Sequence, residues 1–470
     1  MRSALLLAAV VVAASGTLQT QAPPPVKALD WDKLRSEILQ HYRSLVQLDT
    51  TSGHETRAVE YLKKVLEGEG IPTQTFALNP ARANLVARLK GNGSKRPLLI
   101  LAHTDVVGVA REKWPVDPFG AVLKDGYVWG RGSKDDKPVL TANLIAMLML
   151  KRLGVPLDRD VIFLAESGEE ADLEGVGINY MVREHFAEID AEFAMTEGGG
   201  ADIDGGRVTR VNIGTAEKVP ARVRLVATGT AGHGSVPRLD NPLIHLGAAI
   251  QKVGLWQTPM RLNETTRSYF EKLAAISPPD RAAIYKALLD PKTAEGAQKF
   301  LREHSPGEYS MLRTSVVPTM LKAGVGPNVI PSDAEATIDI RALPDENVRA
   351  FYAEMAKVID DPAIKIDPVP ATRPASPASK LTTEMYQTME RAAKAIYPNA
   401  TVIPSMSTGA SDMAQLRAKG IQSYGVGPAS TQEDQLNYPA HGDVERLDES
   451  SLYPFVQYVW TVVMEVAGHR

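Results

Sequence analysis

The 470-residue sequence has no cysteine. Disulfides, thiolate metal sites and a cysteine nucleophile are therefore excluded, and any transition-metal site must be assembled from His, Asp and Glu. Positive charge is not in excess either. Fifty-two Lys and Arg against 56 Asp and Glu give a formal charge of −4, without the basic stripe that nucleic acid would need. Phosphate and dinucleotide loops are also missing. "GRGSKDDK" (130–137) lacks the P-loop spacing and the Ser/Thr after its lysine, and the "GVG" at 175–177 is too short for a dinucleotide fingerprint. No internal repeat or long low-complexity tract is present.

The only apolar run suited to a membrane or an export channel is at the N-terminus. Arg2 is followed by apolar residues from Ala4 to Ala14, then small residues, then the Pro-rich stretch 22–26. The run is short for a permanent span, so residues 1–22 are read as an export signal cleaved somewhere between Ala14 and Ala22. The mature chain is expected to be soluble and exported, in a periplasm or secreted, without stable membrane insertion.

What remains is 44% hydrophobic with 36 glycines and 32 prolines, enough for more than one domain. Short apolar runs, "PLLILAH", "DVIFLAE" and "AEFAMTE", alternate with helical stretches such as "PVLTANLIAMLMLKRLG". That texture predicts an α/β domain with a mostly parallel sheet covered by helices. Near Lys218 it changes to half-exposed strands, "VPARVRLVATG" and "AEATIDIRAL", with amphipathic helices between. The order predicts an inserted α+β (βαββαβ) domain over 217–370, interrupted by a charged helical stretch near 263–303. The α/β domain would be split into 30–216 and 371–470.

Ligands bind beyond the carboxyl ends of strands in open parallel sheets. There the three apolar runs deliver His103 and Asp105, Glu169 and Glu170, and Glu197. So many carboxylates on one rim are costly unless cations lie between them. A Gly-rich turn adds Asp135 and Asp136 just before a helix, where an aspartate alone would read as an N-cap.

With "HTD", "GRGSKDDK", "ESGEE", "TEGG" and "YPAHGDVERL" in this order and spacing, the chain resembles a di-zinc exopeptidase and amidohydrolase family. That family comprises carboxypeptidase G, carboxypeptidase S, aminoacylase, carnosinase and succinyl-diaminopimelate desuccinylase. The resemblance covers about residues 30–470 and is nearest to the carboxypeptidase S branch, through "WPVDPFGAVLKDGYVWGRGSKDDK". It implies two zinc ions, or cobalt or manganese on the same ligands, bridged by Asp135. One ion would also be held by His103 and Glu197, the other by Glu170 and His441. Glu169 would be the general base, and Asp105 would accept the second N–H of His103 and fix its tautomer. The inserted domain would serve as lid and dimerisation domain. Its His233 would stabilise the oxyanion, and Asn328 and Arg341 would contact the substrate, the arginine gripping a carboxylate. The resemblance thus implies hydrolysis of a peptide or N-acyl amide bond beside a free carboxylate, by a homodimer. Aminoacylase chemistry on N-acyl amino acids is the alternative, and a non-catalytic peptide-binding protein a remoter one. One departure stands out: relatives often carry an arginine two residues after the aspartate of a "GTSD" loop, where this chain has Ala414.

Overall fold

The computed structural model describes residues 29–170, 175–371 and 373–469. The segment read as an export signal lies outside them. No helix among the described residues is long and apolar enough to cross a membrane.

A ten-stranded mixed sheet forms the larger layer. At its centre Leu98–His103, Val161–Glu166, Phe193–Thr196 and Gln422–Gly425 run parallel, and all four are almost wholly buried. Continuous Leu, Ile, Val and Phe suit strands covered on both faces. Truncating one such side chain, as in Leu99→Ala, would cost about 2–5 kcal/mol. The register sets His103 opposite Glu166 and Ile100 opposite Met195, so the strands end together on one rim.

Helix Lys137–Leu153 lies beneath that rim, buried at every position from Lys137 to Leu150. Its all-round apolar sequence fits a helix enclosed between the sheet and helix Glu449–Ala467. It stops where Gly154 adopts φ 59° and donates its N–H to the Leu150 carbonyl. Its N-terminus follows directly on Asp135 and Asp136, so the positive end of its dipole is presented at the rim.

The second sheet has five antiparallel strands: Val219–Pro220, Val223–Thr228, Ser315–Ala323, Asp333–Ala342 and Ile364–Pro368. Strand Asp333–Ala342 alternates strictly, burying Ala334, Ala336, Ile338 and Ile340 against helices Pro242–Leu255 and Val348–Ile359. Ser315–Ala323 is a free edge, with Val317, Met320 and Leu321 exposed. The helical stretch 264–311 packs elsewhere. Its Phe270, Leu273 and Leu301 join Ala216, Ile403 and Met406, so it covers the larger sheet and leaves the edge of the smaller one open.

Candidate metal centre

Asp135 occupies the middle of the site. Its Oδ1 lies 2.9 Å from His103 Nε2 and its Oδ2 lies 3.2 Å from His441 Nε2. Glu197 stands 3.8 Å from the same His103 nitrogen, and Glu170 lies 2.8 Å from His441 Nε2. Two ligand sets result, His103–Asp135–Glu197 and Asp135–Glu170–His441, each with its donor atoms within 4.8 Å of one another. Imidazole and carboxylate oxygen suit zinc, cobalt and manganese alike. All five residues expected as ligands are thus brought together, from five separate segments.

The electrostatics call for cations. Glu197 is pushed well above the usual carboxylate range by burial and by the charges of Asp135 and Glu169. Burial would also raise Asp135, but hydrogen bonds from His103 and His441 outweigh it and hold it well below its usual range. Burial would lower His103, yet Asp105, Asp135 and Glu197 together hold it well above its ordinary value. His441 is pushed up to about 10 by its contacts with Asp135 and Glu170, against burial. The same ligand groups that repel one another as carboxylates would be relieved by cations held between them.

The supporting turns explain the convergence. Glu445 accepts from the backbone N–H groups of Lys134 (2.6 Å) and Asp135 (3.2 Å) and pairs with Arg131 at 2.7 Å. The late motif thus supplies His441 and also the carboxylate that fixes the Asp135 turn, where the Asp135–Asp136 peptide is cis. Asp136 is buried at the N-cap position of the helix but makes no capping hydrogen bond, so the ordinary capping role is not what places it. The role of Glu445 was open to sequence reading only as an unassigned acid within "YPAHGDVERL".

Asp105 differs in detail from expectation. His103 Nδ1 donates to the main-chain carbonyl of Asp105 at 3.1 Å, with the carboxylate 3.6 Å away. The carboxylate instead accepts from the N–H groups of Gly168, Glu169 and Glu170 at 2.8, 3.3 and 3.1 Å. Asp105 thus ties the "HTD" strand end to the turn carrying both glutamates. The choice of nitrogen is unchanged: with Nδ1 given to the Asp105 carbonyl, Nε2 is the nitrogen turned toward Asp135 and Glu197 and is the one that would ligate a metal.

Glu169 belongs to neither ligand set. Its carboxylate accepts from Arg373 Nη2 at 2.7 Å, a partner 204 residues away with no local signature. Burial and the nearby charge of Asp412 push it up to about 8, against the pull of Arg373 and His103. Ala414 is buried in helix Met413–Ala418, so it offers no polar group to a cleft.

Among the described residues, the inserted-domain candidates find their hydrogen-bond partners within their own domain. His233 is exposed in the short strand Gly232–His233, with Nδ1 2.7 Å from the Ser235 hydroxyl. Asn328 is its neighbour, accepting the Gly234 N–H on its carbonyl at 2.7 Å. Arg341 sits on the smaller sheet, its Nε donating to Asp339 at 2.8 Å.

Two ligand sets sharing one carboxylate, at the rim of a parallel sheet, define a two-metal hydrolase centre. The chain belongs to peptidase family M20/M25/M40, whose family model matches residues 99–465, and it is an amidohydrolase or metallopeptidase of that family. It is 26% identical to human N-fatty-acyl-amino acid synthase/hydrolase PM20D1 over 79% of this chain and 74% of that one. It is 25% identical to a probable succinyl-diaminopimelate desuccinylase of Staphylococcus aureus, over 80% of this chain and 85% of the relative. Among solved structures, an M20 family metallo-carboxypeptidase from Sulfolobus solfataricus superposes with a TM-score of 0.67 at 21% identity, covering 92% of this chain and 99% of that one. Human carnosine dipeptidase 1 shares the fold with a TM-score of 0.62 at 16% identity, over 93% and 97% of the two chains.

Proposed function

We propose that the chain is an exported hydrolase, working with two zinc ions, that cleaves a peptide or N-acyl amide bond beside a free carboxylate. The observation that carries this reading is Glu169: a largely buried carboxylate, 11% exposed, next to the ligand Glu170 in sequence, yet outside both ligand sets. When bound, the metals would supply Lewis acidity to the attacking water and to the scissile carbonyl. Glu169 takes the proton of that water and returns it to the leaving amine, and its raised pKa makes it a stronger base than a free glutamate near 4.3. Asp105 holds Glu169 in place through the turn N–H groups, and Arg373 holds its carboxylate from the side.

Arg341 and Asn328 are assigned to the substrate carboxylate side and His233 to the oxyanion. The exposed position of His233 and the open, apolar edge strand Ser315–Ala323 favour a homodimer in which the inserted domains pair. Export rests on residues 1–22 alone. Hydrolysis of N-acyl amino acids, as in aminoacylases, is carried by the same centre. The test is elemental analysis with reconstitution: the active protein should carry two ions per chain, chelation should abolish cleavage of dipeptides and N-acyl amino acids, and zinc, cobalt or manganese should restore it. An active protein without transition metal would refute the proposal.

A further inference from the structure

A cavity of about 470 Å³ opens beside Asp135 and Glu197. None of the residues lining it lies between 217 and 370, so the inserted domain contributes nothing to its wall. Its wall next to Glu197 is backbone. A Cβ on Gly199 would stand 2.3 Å from the Gly425 carbonyl oxygen, and one on Gly427 2.8 Å from that of Gly199. Only glycine permits strands this close, and the same glycines leave the wall without side chains. Val139, Val426 and Leu447 make the remainder of that end apolar.

Farther along, the lining turns polar. Arg210 and Asp202 face each other across paired strands, and Arg210 Nε donates to Asp202 Oδ2 at 2.5 Å. The Asp202 carboxylate also accepts from Asn212 (3.0 Å) and Gln435 (3.0 Å), so each of its oxygens already has a donor. Neither Nη of Arg210 has an acceptor among the described residues, and its side chain is 29% exposed. Glu308, the other carboxylate acting on Arg210, is held by the Tyr285 hydroxyl at 2.8 Å and lies 3.9 Å from Arg281. Outside the metal ligands and the buried Asp136, the lining cations are Lys134 and Arg210 and the lining anion is Asp202. Lys134 Nζ is already engaged by the Asp434 and Tyr438 carbonyls. The free fork of Arg210 is left facing a cavity that begins at the metal ligands.

We infer that this cavity receives the acyl side of the scissile amide and that Arg210 selects acyl groups ending in a carboxylate. The inference rests on the function proposed above, in which Arg341 takes the opposite end of the substrate. A guanidinium with two unused donors in a partly enclosed site matches a carboxylate bidentately, whereas an alkyl chain there would leave those donors desolvated and unpaired. The same chemistry could come from a dicarboxylic acyl group or from an acidic N-terminal residue.

The test compares four substrates sharing one leaving amino acid, with N-acetyl, N-hexanoyl, N-glutaryl and α-glutamyl groups, on the zinc-loaded enzyme. The glutaryl or the glutamyl substrate should exceed the hexanoyl one in kcat/KM by about tenfold or more, as one charge-assisted pair allows. The better of the two identifies the source. Arg210→Met should bring that ratio close to one, while Arg210→Lys, which can keep the pair with Asp202, should retain part of it. Hexanoyl cleavage equal to or faster than both acidic substrates would overturn the inference and leave the proposed function standing. So would a ratio that survives in a folded, metal-loaded Arg210→Met. If the metal-loaded wild type cleaves none of the four, the proposed function fails and the inference with it.

Discussion

His103, on the rim of the larger sheet, is 1% exposed and engaged through both ring nitrogens. His233, on the inserted domain, is exposed and engaged through one. The contrast extends to their neighbours. The metal-ligand turns are locked by Asp105 and Glu445, each accepting several backbone N–H groups, whereas His233 sits on a two-residue strand pair and Asn328 just before its partner strand. The rim is held in place by its own hydrogen bonds, and under the proposed function the inserted domain would be brought to it. That division suits a hydrolase in which the rim supplies metals and base and a second body closes over the bound amide.

The largest loss is expected at Glu169. Removing a general base typically costs about 10²–10⁴-fold in rate, and here one residue serves both proton transfers. Glu169→Ala should lose that much in kcat and keep both metals, while the adjacent Glu170→Ala should lose an ion. Near-normal turnover in Glu169→Ala would mean that the rim does not carry the base.

His233 sharpens the other half. Losing an oxyanion donor costs about 10²–10³-fold in kcat, so His233→Ala should bind metals and substrate normally and turn over slowly. If His233 serves the partner's centre, exchanging subunits between His233→Ala and Glu169→Ala should restore activity, because half of the sites in a mixed dimer then hold both groups. A mixture that exchanges subunits and stays inactive would place His233 in its own chain's site or outside catalysis.

The smallest effect is expected at the junction of the two regions. Lys218 is fully buried between the sheets, its Nζ 2.9 Å from the Ser310 hydroxyl and 3.1 Å from that of Ser315. Burial, with the charges of Arg341 and Arg313, pushes it down to about 7 from an ordinary 10.5. Between those values the unfolded chain binds more protons than the folded one, so this group makes stability rise with pH across the window. Denaturation midpoints at pH 7 and 9.5 should show that rise in the wild type and a weaker one in Lys218→Met. An equal rise in both would remove Lys218 from the account.

Much of the rim was legible in the sequence because its side chains follow strands whose apolar runs are unmistakable. The turn after Val161–Glu166 and the late "YPAHGDVERL" could be matched one residue at a time. What escaped were contacts made across long sequence separations. Arg373 on Glu169 and Glu445 beneath Asp135 have no local signature, since a lone Arg or Glu reads as surface charge. The same holds for helices 264–311: their amphipathic spacing shows that one face is buried, but not which sheet buries it. The detail at Asp105 was hidden for a different reason. The spacing of "HTD" brings the residue to the imidazole, yet the backbone path decides whether carbonyl or carboxylate meets Nδ1.

Asp135 is expected to join two metal positions into one centre. Counting bound ions in the native protein and in single-ligand variants checks that bridge. With zinc in modest excess, the wild type should hold two ions per chain, and His103→Ala should keep the ion on the Glu170 and His441 side. Asp135→Ala should weaken both positions together, because it removes a ligand from each set. Two tightly held ions in a folded Asp135→Ala protein would contradict the shared bridge.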